Sequence, residues 1–194
     1  MTELNVYKTY PGVGTPTFAT KQSACFDLAF SALGKISYKG YNRANKAFER
    51  GFASDGSLHV MPGDRLMVPT GLIFDIPEGY SVRVHARSGM SLKQGLVLAN
   101  AEGVIDSDYT EELFILVHNI SDNGISIAHG DRIAQGELVV REVYSIGEVS
   151  ERPDLKTDRV GGMGSTGVTV LNVEPNNDLP VKRGRGRPKK VDTV

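Results

Sequence analysis

Tryptophan is missing from these 194 residues, and aromatic side chains make up only 7% of them. A core must therefore be built from aliphatic residues, for which a hydrophobic content of 40% is enough. Cysteine occurs once, as Cys25. That excludes an internal disulfide and a cysteine-built zinc site, and it is the usage of a reducing, cytosol-like compartment. No apolar run approaches the length of a membrane span, and the opening MTELNVYKTY has no basic-then-apolar leader pattern. No membrane partner is expected. His59, His85, His118 and His129 show no ligand spacing, and neither a Ser/His/Asp triad nor a cysteine nucleophile is indicated. The length suits one domain with tails, or at most two small domains.

Charge is present in near balance, 22 Lys and Arg against 23 Asp and Glu, but unevenly placed. Lys182, Arg183, Arg185, Arg187, Lys189 and Lys190 crowd the end of the chain, where Glu174, Asp178 and Asp192 are the only acids after Leu171. The first 170 residues are left with 16 bases and 20 acids, a net of -4. A mildly acidic body thus bears a strongly basic tail, and the two parts are built for different partners.

The body reads as all-β. Turns at Pro62-Gly63-Asp64, Pro69-Thr70-Gly71 and Pro77-Glu78-Gly79 separate apolar-rich segments, and Ser81 to Ala86 alternates polar and apolar residues. Leu96 to Ala99, Leu113 to Ile120, Ile125 to Ala128 and Ile133 to Tyr144 continue the pattern, with Ser121 to Gly124 and Gly130-Asp131 as breaks. Short strands at this spacing point to a sandwich, barrel or jelly-roll. No long helical pattern lies between strands, which excludes a doubly wound α/β fold. Asn42 to Arg50 (NRANKAFER) predicts one short amphipathic helix inside a surface insertion over about 35–57. Residues 1–144 are expected to form the β-domain, 145–170 an extended arm, and 171–194 a disordered polar tail.

Three stretches could carry chemistry. Arg87-Ser88-Gly89 follows a strand and opens a segment, Met90 to Gln94, suited to one helical turn; a cation, a hydroxyl and free N–H groups there suit phosphate. Taken alone they are better read as an N-cap serine beside a surface arginine. Asn100 followed by Gly103-Val104-Ile105-Asp106-Ser107-Asp108-Tyr109 offers an amide, two carboxylates and a phenol in a tight turn. Phosphoanhydride hydrolysis needs such a carboxylate to orient and deprotonate water, although Asp-x-Asp at a solvated hairpin tip looks the same. Gly161 to Gly167, just after Arg159, could cradle phosphate through its N–H groups or be a flexible linker. It lacks the Lys-Ser/Thr of a Walker loop.

In order, these segments resemble the five motifs of the trimeric dUTPase family: Ser23 to Leu28, Arg87-Ser88-Gly89 with Lys93 and Gly95, Gly103 to Tyr109 with Glu112 and preceded by Asn100, Gly130 to Gln135, and Arg159 through Gly167. The resemblance implies a jelly-roll-like β-fold, a homotrimer with active sites at subunit interfaces, and hydrolysis of dUTP to dUMP and pyrophosphate. That reaction limits uracil incorporation into DNA. It further implies Asp106 as general base, and Asn100 with the main chain of Gly103 and Ile105 as readers of uracil. Tyr109 would pack on deoxyribose. Arg87, Ser88, Gly89 and Gln135 would hold the triphosphate, and Arg159, Met163, Gly164 and Ser165 would close over the nucleotide. Mg²⁺ would be held by phosphates and waters, with Asp27 acting on it through water. The chain departs from the family pattern in four ways. Met163 stands for the usual Phe, Glu111 and Cys25 stand for glycines, the interval from Arg159 to the glycine run is one residue shorter, and the 35–57 connection is longer.

The tail segment Lys182-Arg183-Gly184-Arg185-Gly186-Arg187-Pro188-Lys189-Lys190 resembles an AT-hook. Arg185, Gly186, Arg187 and Pro188 would enter the narrow minor groove of A·T-rich DNA; a generic basic tail or nuclear-import signal is the alternative, and the hook is favoured because glycine and proline occupy the positions its geometry requires. Two alternatives stand beside the dUTPase reading: a dCTP deaminase-type enzyme of the same fold, and a dUTPase-like nucleotide sensor tethered to DNA. The expected location is the cytoplasm of a bacterial or phage-infected cell, or the nucleus if the source is eukaryotic.

Overall fold

The computed structural model describes residues 2–157, and within them the chain divides after Ser145. Thirteen strands and one helix are described: β1 (Asn5–Lys8), β2 (Phe26–Ala29), β3 (Ser37–Tyr41), β4 (Ala47–Gly51), β5 (Leu58–Val60), β6 (Arg65–Pro69), β7 (Leu72–Asp75), β8 (Tyr80–Ala86), α1 (Ser88–Gln94), β9 (Leu96–Leu98), β10 (Gly103–Asp106), β11 (Phe114–Asn119), β12 (Ile125–Ile127) and β13 (Arg132–Val140). Residues 146–157, which belong to the second unit, contain no helix or strand. No described helix is long and apolar enough to cross a membrane.

The strands form a four-stranded sheet in the order β10-β8-β13-β2 and a five-stranded sheet in the order β4-β3-β6-β11-β9. Two-stranded ribbons pair β1 with β7 and β12 with β5. Among the described residues every strand pair is antiparallel. The spacing of short strands and turns pointed to a sandwich, barrel or jelly-roll, and the fold is the jelly-roll-like one that the motif resemblance implies. Alternation explains the core. On β8, Val82 and Val84 face inward, and on β11, Ile115 and Val117 do. They meet Leu28, Phe30, Leu58, Leu66, Val68 and Ile127 in one cluster. Burying each such side chain contributes roughly 1.5–3 kcal/mol. Glycines close the turns that the sequence marks: Gly71 and Gly79 have φ of 70° and 80°, a conformation open to glycine without strain.

The segment around Asn42 to Arg50 is not a helix. It is a hairpin whose strands β3 and β4 form one edge of the five-stranded sheet, with β3 paired to β6. Two local features override the helical composition. Asn42 Oδ1 accepts the N–H groups of Ala44 and Lys46 at 3.0 and 2.9 Å, and Asn45 takes a positive φ of 58°, so the run closes a turn. Phe48 and Arg50, two residues apart, share one face: the Arg50 guanidinium lies 3.9 Å from the Phe48 ring centre and 3.2 Å from the buried Asp64 carboxylate. Only a strand places residues i and i+2 together. The insertion is thereby tied into the body, since Tyr38 is buried and its hydroxyl donates to the His59 carbonyl at 3.2 Å.

Gly40 sits where β3 crosses β6, and a methyl group there would press on the Arg65 carbonyl oxygen and the Leu66 side chain. In a helix or loose loop, Gly40→Ala would be neutral or stabilising. In the hairpin it overpacks the sheet, and we expect Gly40→Ala to lower the thermal midpoint by roughly 2–10 °C. Thermal unfolding of the two proteins checks this.

Candidate active site

Two cavities gather the residues singled out above, and they share no lining residue. The first, of 660 Å³, lies where β8 runs into α1 and against the edge strand β2; Asp27, Arg87, Ser88, Gly89 and Gln135 all line it. Arg87 ends the strand in an extended conformation (φ -89°, ψ 126°) and no side chain caps the helix that follows, so the first-turn N–H groups face the cavity region without a competing acceptor. Gly95 ends the helix in the left-handed region, its N–H turned back to the carbonyls of Met90 and Ser91.

The cations of this pocket are held in place. Arg87 Nε lies 3.1 Å from Asp27 Oδ1, and Arg87 Nη1 donates to the Arg132 carbonyl at 2.8 Å. Arg132 Nη1 donates to Asp27 Oδ2 at 2.9 Å, so one carboxylate is shared by two guanidiniums. Gln135 faces Asp27 across the β13–β2 pair, and its amide donates to the Ala86 carbonyl at 3.1 Å. With Lys93 also on the wall, cations outnumber the single carboxylate, which makes the pocket a receptor for an anion. Arg132 was not picked out by sequence; its signal is weak, a lone cation after the Gly130-Asp131 turn, and only strand pairing brings it to Asp27.

The second cavity, of 510 Å³, is formed around β10 and lined by Asn100, Gly103, Ile105, Asp106 and Tyr109. Ala101, at the turn between Asn100 and Gly103, has φ of 61°, uncommon for a residue with a side chain. Gly103 packs on Val84, and a Cβ there would lie 3.6 Å from the Asn100 amide. Tyr109 is fixed by its hydroxyl, which donates to the Glu112 carbonyl at 3.0 Å. Glu112 is itself buried; it accepts the Gly71 N–H at 2.9 Å and pairs with Lys35. The hairpin therefore presents the carboxylates of Asp106 and Asp108 at its end, an amide at its base and a ring anchored beside them.

The two cavities belong to different regions of the four-stranded sheet. β10 and β2 are its outer strands. Asp106 lies opposite Ser81 and thus level with Val139, while Asp27 lies opposite Gln135. Three strand spacings and four residues along the sheet separate them by roughly 20 Å. One triphosphate cannot reach both within a single chain.

A third cluster was invisible to sequence spacing. Cys25, His85 and Glu137 bring a thiol, an imidazole and a carboxylate within 4.8 Å of one another. Burial and then the neighbouring Glu137 carboxylate push the Cys25 thiol up from its ordinary value. Arg159, Met163, Gly164, Ser165 and the tail residues Arg185, Gly186, Arg187 and Pro188 lie outside the described residues.

An antiparallel β-fold with an arginine-held anion pocket and a separate carboxylate hairpin has the parts of a nucleotide phosphohydrolase. The sequence profile of the dUTPase family matches residues 53–167. A deoxyuridine 5'-triphosphate nucleotidohydrolase of Caulobacter vibrioides is 40% identical over 114 residues, covering 59% of this chain and 73% of the relative. That of Rhizobium rhizogenes is 34% identical over 158 residues, covering 81% and 87%. The fold is similar to that of a Staphylococcus bacteriophage 80alpha dUTPase mutant with dUpNHpp. The TM-score is 0.66 at 21% identity, over 87% of this chain and all of the other. The chain belongs to the dUTPase family, and its enzyme class is that of the dUTP diphosphatases.

Proposed function

We propose that the protein is a homotrimer that hydrolyses dUTP to dUMP and pyrophosphate with Mg²⁺, each active site being shared between chains. The observation that carries this reading is the division of the site into two half-sites too far apart in one chain to serve one nucleotide. A rotated copy supplies the missing half: the Asp106 hairpin of one chain faces the Arg87 pocket of the next, a head-to-tail contact that closes into a ring.

In that arrangement Asn100 and the main chain of Gly103 and Ile105 read the base edge, since an amide offers both a donor and an acceptor. Tyr109, anchored through Glu112, packs against deoxyribose and leaves no room for a 2'-hydroxyl. Arg87, Ser88, Gly89 and Gln135 hold the phosphates. Asp106 takes a proton from water as the water oxygen bonds to the α-phosphorus. The α–β phosphoanhydride bond breaks, and the electron pair leaves with pyrophosphate, stabilised by guanidinium and backbone N–H groups. Arg159, Met163, Gly164 and Ser165 close over the nucleotide and exclude bulk water.

The pocket fits magnesium carried by the substrate. Its one carboxylate, Asp27, is already engaged by Arg87 and Arg132, so it is suited to act on a hydrated ion through water rather than to bind it directly. When bound, the ion supplies charge neutralisation on the phosphate oxygens.

With Mg²⁺ we expect pyrophosphate release from dUTP, and little from dCTP, dTTP or UTP. Asp106→Asn lowers turnover about 10²–10⁴-fold while nucleotide is still bound. Ammonia release from dCTP, or full activity in the variant, would contradict the assignment; binding without turnover of any nucleotide would favour the sensor.

For the tail we propose binding of A·T-rich DNA through Arg185, Gly186, Arg187 and Pro188. The support is the sequence alone: glycine and proline stand where a chain sunk in the minor groove needs them, and trimerisation would supply three copies and hence avidity. In a bandshift with A·T-rich duplex, the full chain should bind with a steep salt dependence and a chain ending at Val170 should not. Equal binding by the two would refute it.

A further inference from the structure

Cys25, His85 and Glu137 are far apart in sequence and are brought together by the pleat of the four-stranded sheet. Phe26 lies opposite Gly136 and faces the core. Glu137, next to Gly136 on β13, therefore points to the outer face, and Cys25, in the bend just before β2, brings its thiol to the same place. On β8, His85 lies opposite Gln135, next along that face. The result is one thiol, one imidazole and one carboxylate, all half-buried, with their ligand atoms within 4.8 Å of one another. Among the described residues this is the one cluster of three such groups.

We propose that these three side chains form a transition-metal site of the zinc class, separate from the magnesium that accompanies the nucleotide. The donor set selects the ion. A thiolate with an imidazole favours borderline-soft Zn²⁺ or Co²⁺, whereas Mg²⁺ prefers oxygen ligands alone. The spacing needs only side-chain rotation, since donors on tetrahedral zinc stand roughly 3.3–3.8 Å apart. His85 is poised for it. Its Nε2 is 3.1 Å from Glu137 Oε1, while Nδ1 is 3.7 Å from Glu102 Oε1, so a metal on Nε2 leaves Nδ1 facing the Glu102 carboxylate, which would have to close in by a few tenths of an ångström to accept from it. A carboxylate behind the second ring nitrogen is the usual support of a metal-bound histidine. Arg83 in turn fixes Glu102, Nη1 to Oε2 at 3.3 Å. Three protein ligands leave a fourth position for water or a group from a neighbouring chain. The ion would staple β2 to β8 and β13, the strands that carry Asp27, Arg87 and Gln135 to the phosphate pocket.

The plainer alternative is His85 lying between Glu102 and Glu137 with no metal, and the thiol a bystander. Cobalt titration of the full-length protein separates the two. Because the chain has one cysteine, a near-ultraviolet thiolate-to-cobalt charge-transfer band can arise only at Cys25. We expect that band to saturate at one equivalent per chain, to be displaced by Zn²⁺, and to vanish in Cys25→Ser. His85→Gln, with its cysteine intact, should weaken cobalt binding at least about ten-fold, and Glu102→Gln about ten-fold. Absence of the band, or a band of unchanged affinity in His85→Gln, would overturn the site. Should Cys25→Ser fail to fold, zinc protection of the wild-type thiol from a disulfide reagent decides. Protection lost in His85→Gln supports the site, and a thiol equally reactive with and without zinc refutes it.

Discussion

In the proposed reaction, a carboxylate that deprotonates water beside a triphosphate cannot also neutralise the cations that hold that triphosphate. Asp27 illustrates what happens when the two meet in one chain: it is claimed by both Arg87 and Arg132. Asp106 escapes this because β10 and β2 are the opposite edges of the four-stranded sheet. The separation keeps Asp106 away from the arginines, which Asp27 holds at the other edge of the sheet; under the proposed reaction each chain then carries two incomplete half-sites. In the proposed trimer the two halves would meet only across an interface, with the nucleotide and its metal between them.

The rest of the fold serves to hold each half rigid. α1 is only seven residues long, started by the extended Arg87 and stopped by left-handed Gly95, so the strand-to-helix junction places its N–H groups beside the arginine. The hairpin side is braced through Glu112, which fastens Tyr109 by its carbonyl and reaches Gly71 and Lys35 by its carboxylate. Lys35 opens the long 35–57 connection, so that connection supports the hairpin as well as extending the second sheet through β3 and β4. The arginine and glycine segment from Arg159 to Gly167 and the basic tail lie outside the described residues, and their roles rest on the sequence.

Much of this was legible in the residues. Strands with one buried face declare themselves by alternation, as Ser81 to Ala86 does, and Pro-Gly turns mark their ends. Arg87, Asp106 and Gln135 each lie in a short contiguous motif, and the structure places them on the walls of the two cavities. The hairpin at Asn42 to Arg50 was misread because its composition favours a helix, while the forces that decide it are tertiary: Arg50 reaching Asp64, and Gly40 lying flat on β6. Arg132 and the Cys25, His85 and Glu137 group escaped for a related reason. Their partners are cross-strand neighbours, and the register that joins them is set by the pairing of β2, β8 and β13 rather than by any local spacing.

The central claim is that one nucleotide is served by two chains, and subunit complementation tests it most directly. Asp106→Ala and Arg87→Ala proteins, each inactive alone, are mixed in equal amounts, unfolded, refolded together and assayed with dUTP. If each site takes its carboxylate from one chain and its arginine from the next, random assembly completes roughly a quarter of the sites, and activity returns to about that fraction of wild type. Refolded mixtures that remain as inactive as their parents would contradict the account and place both halves of the site in one chain.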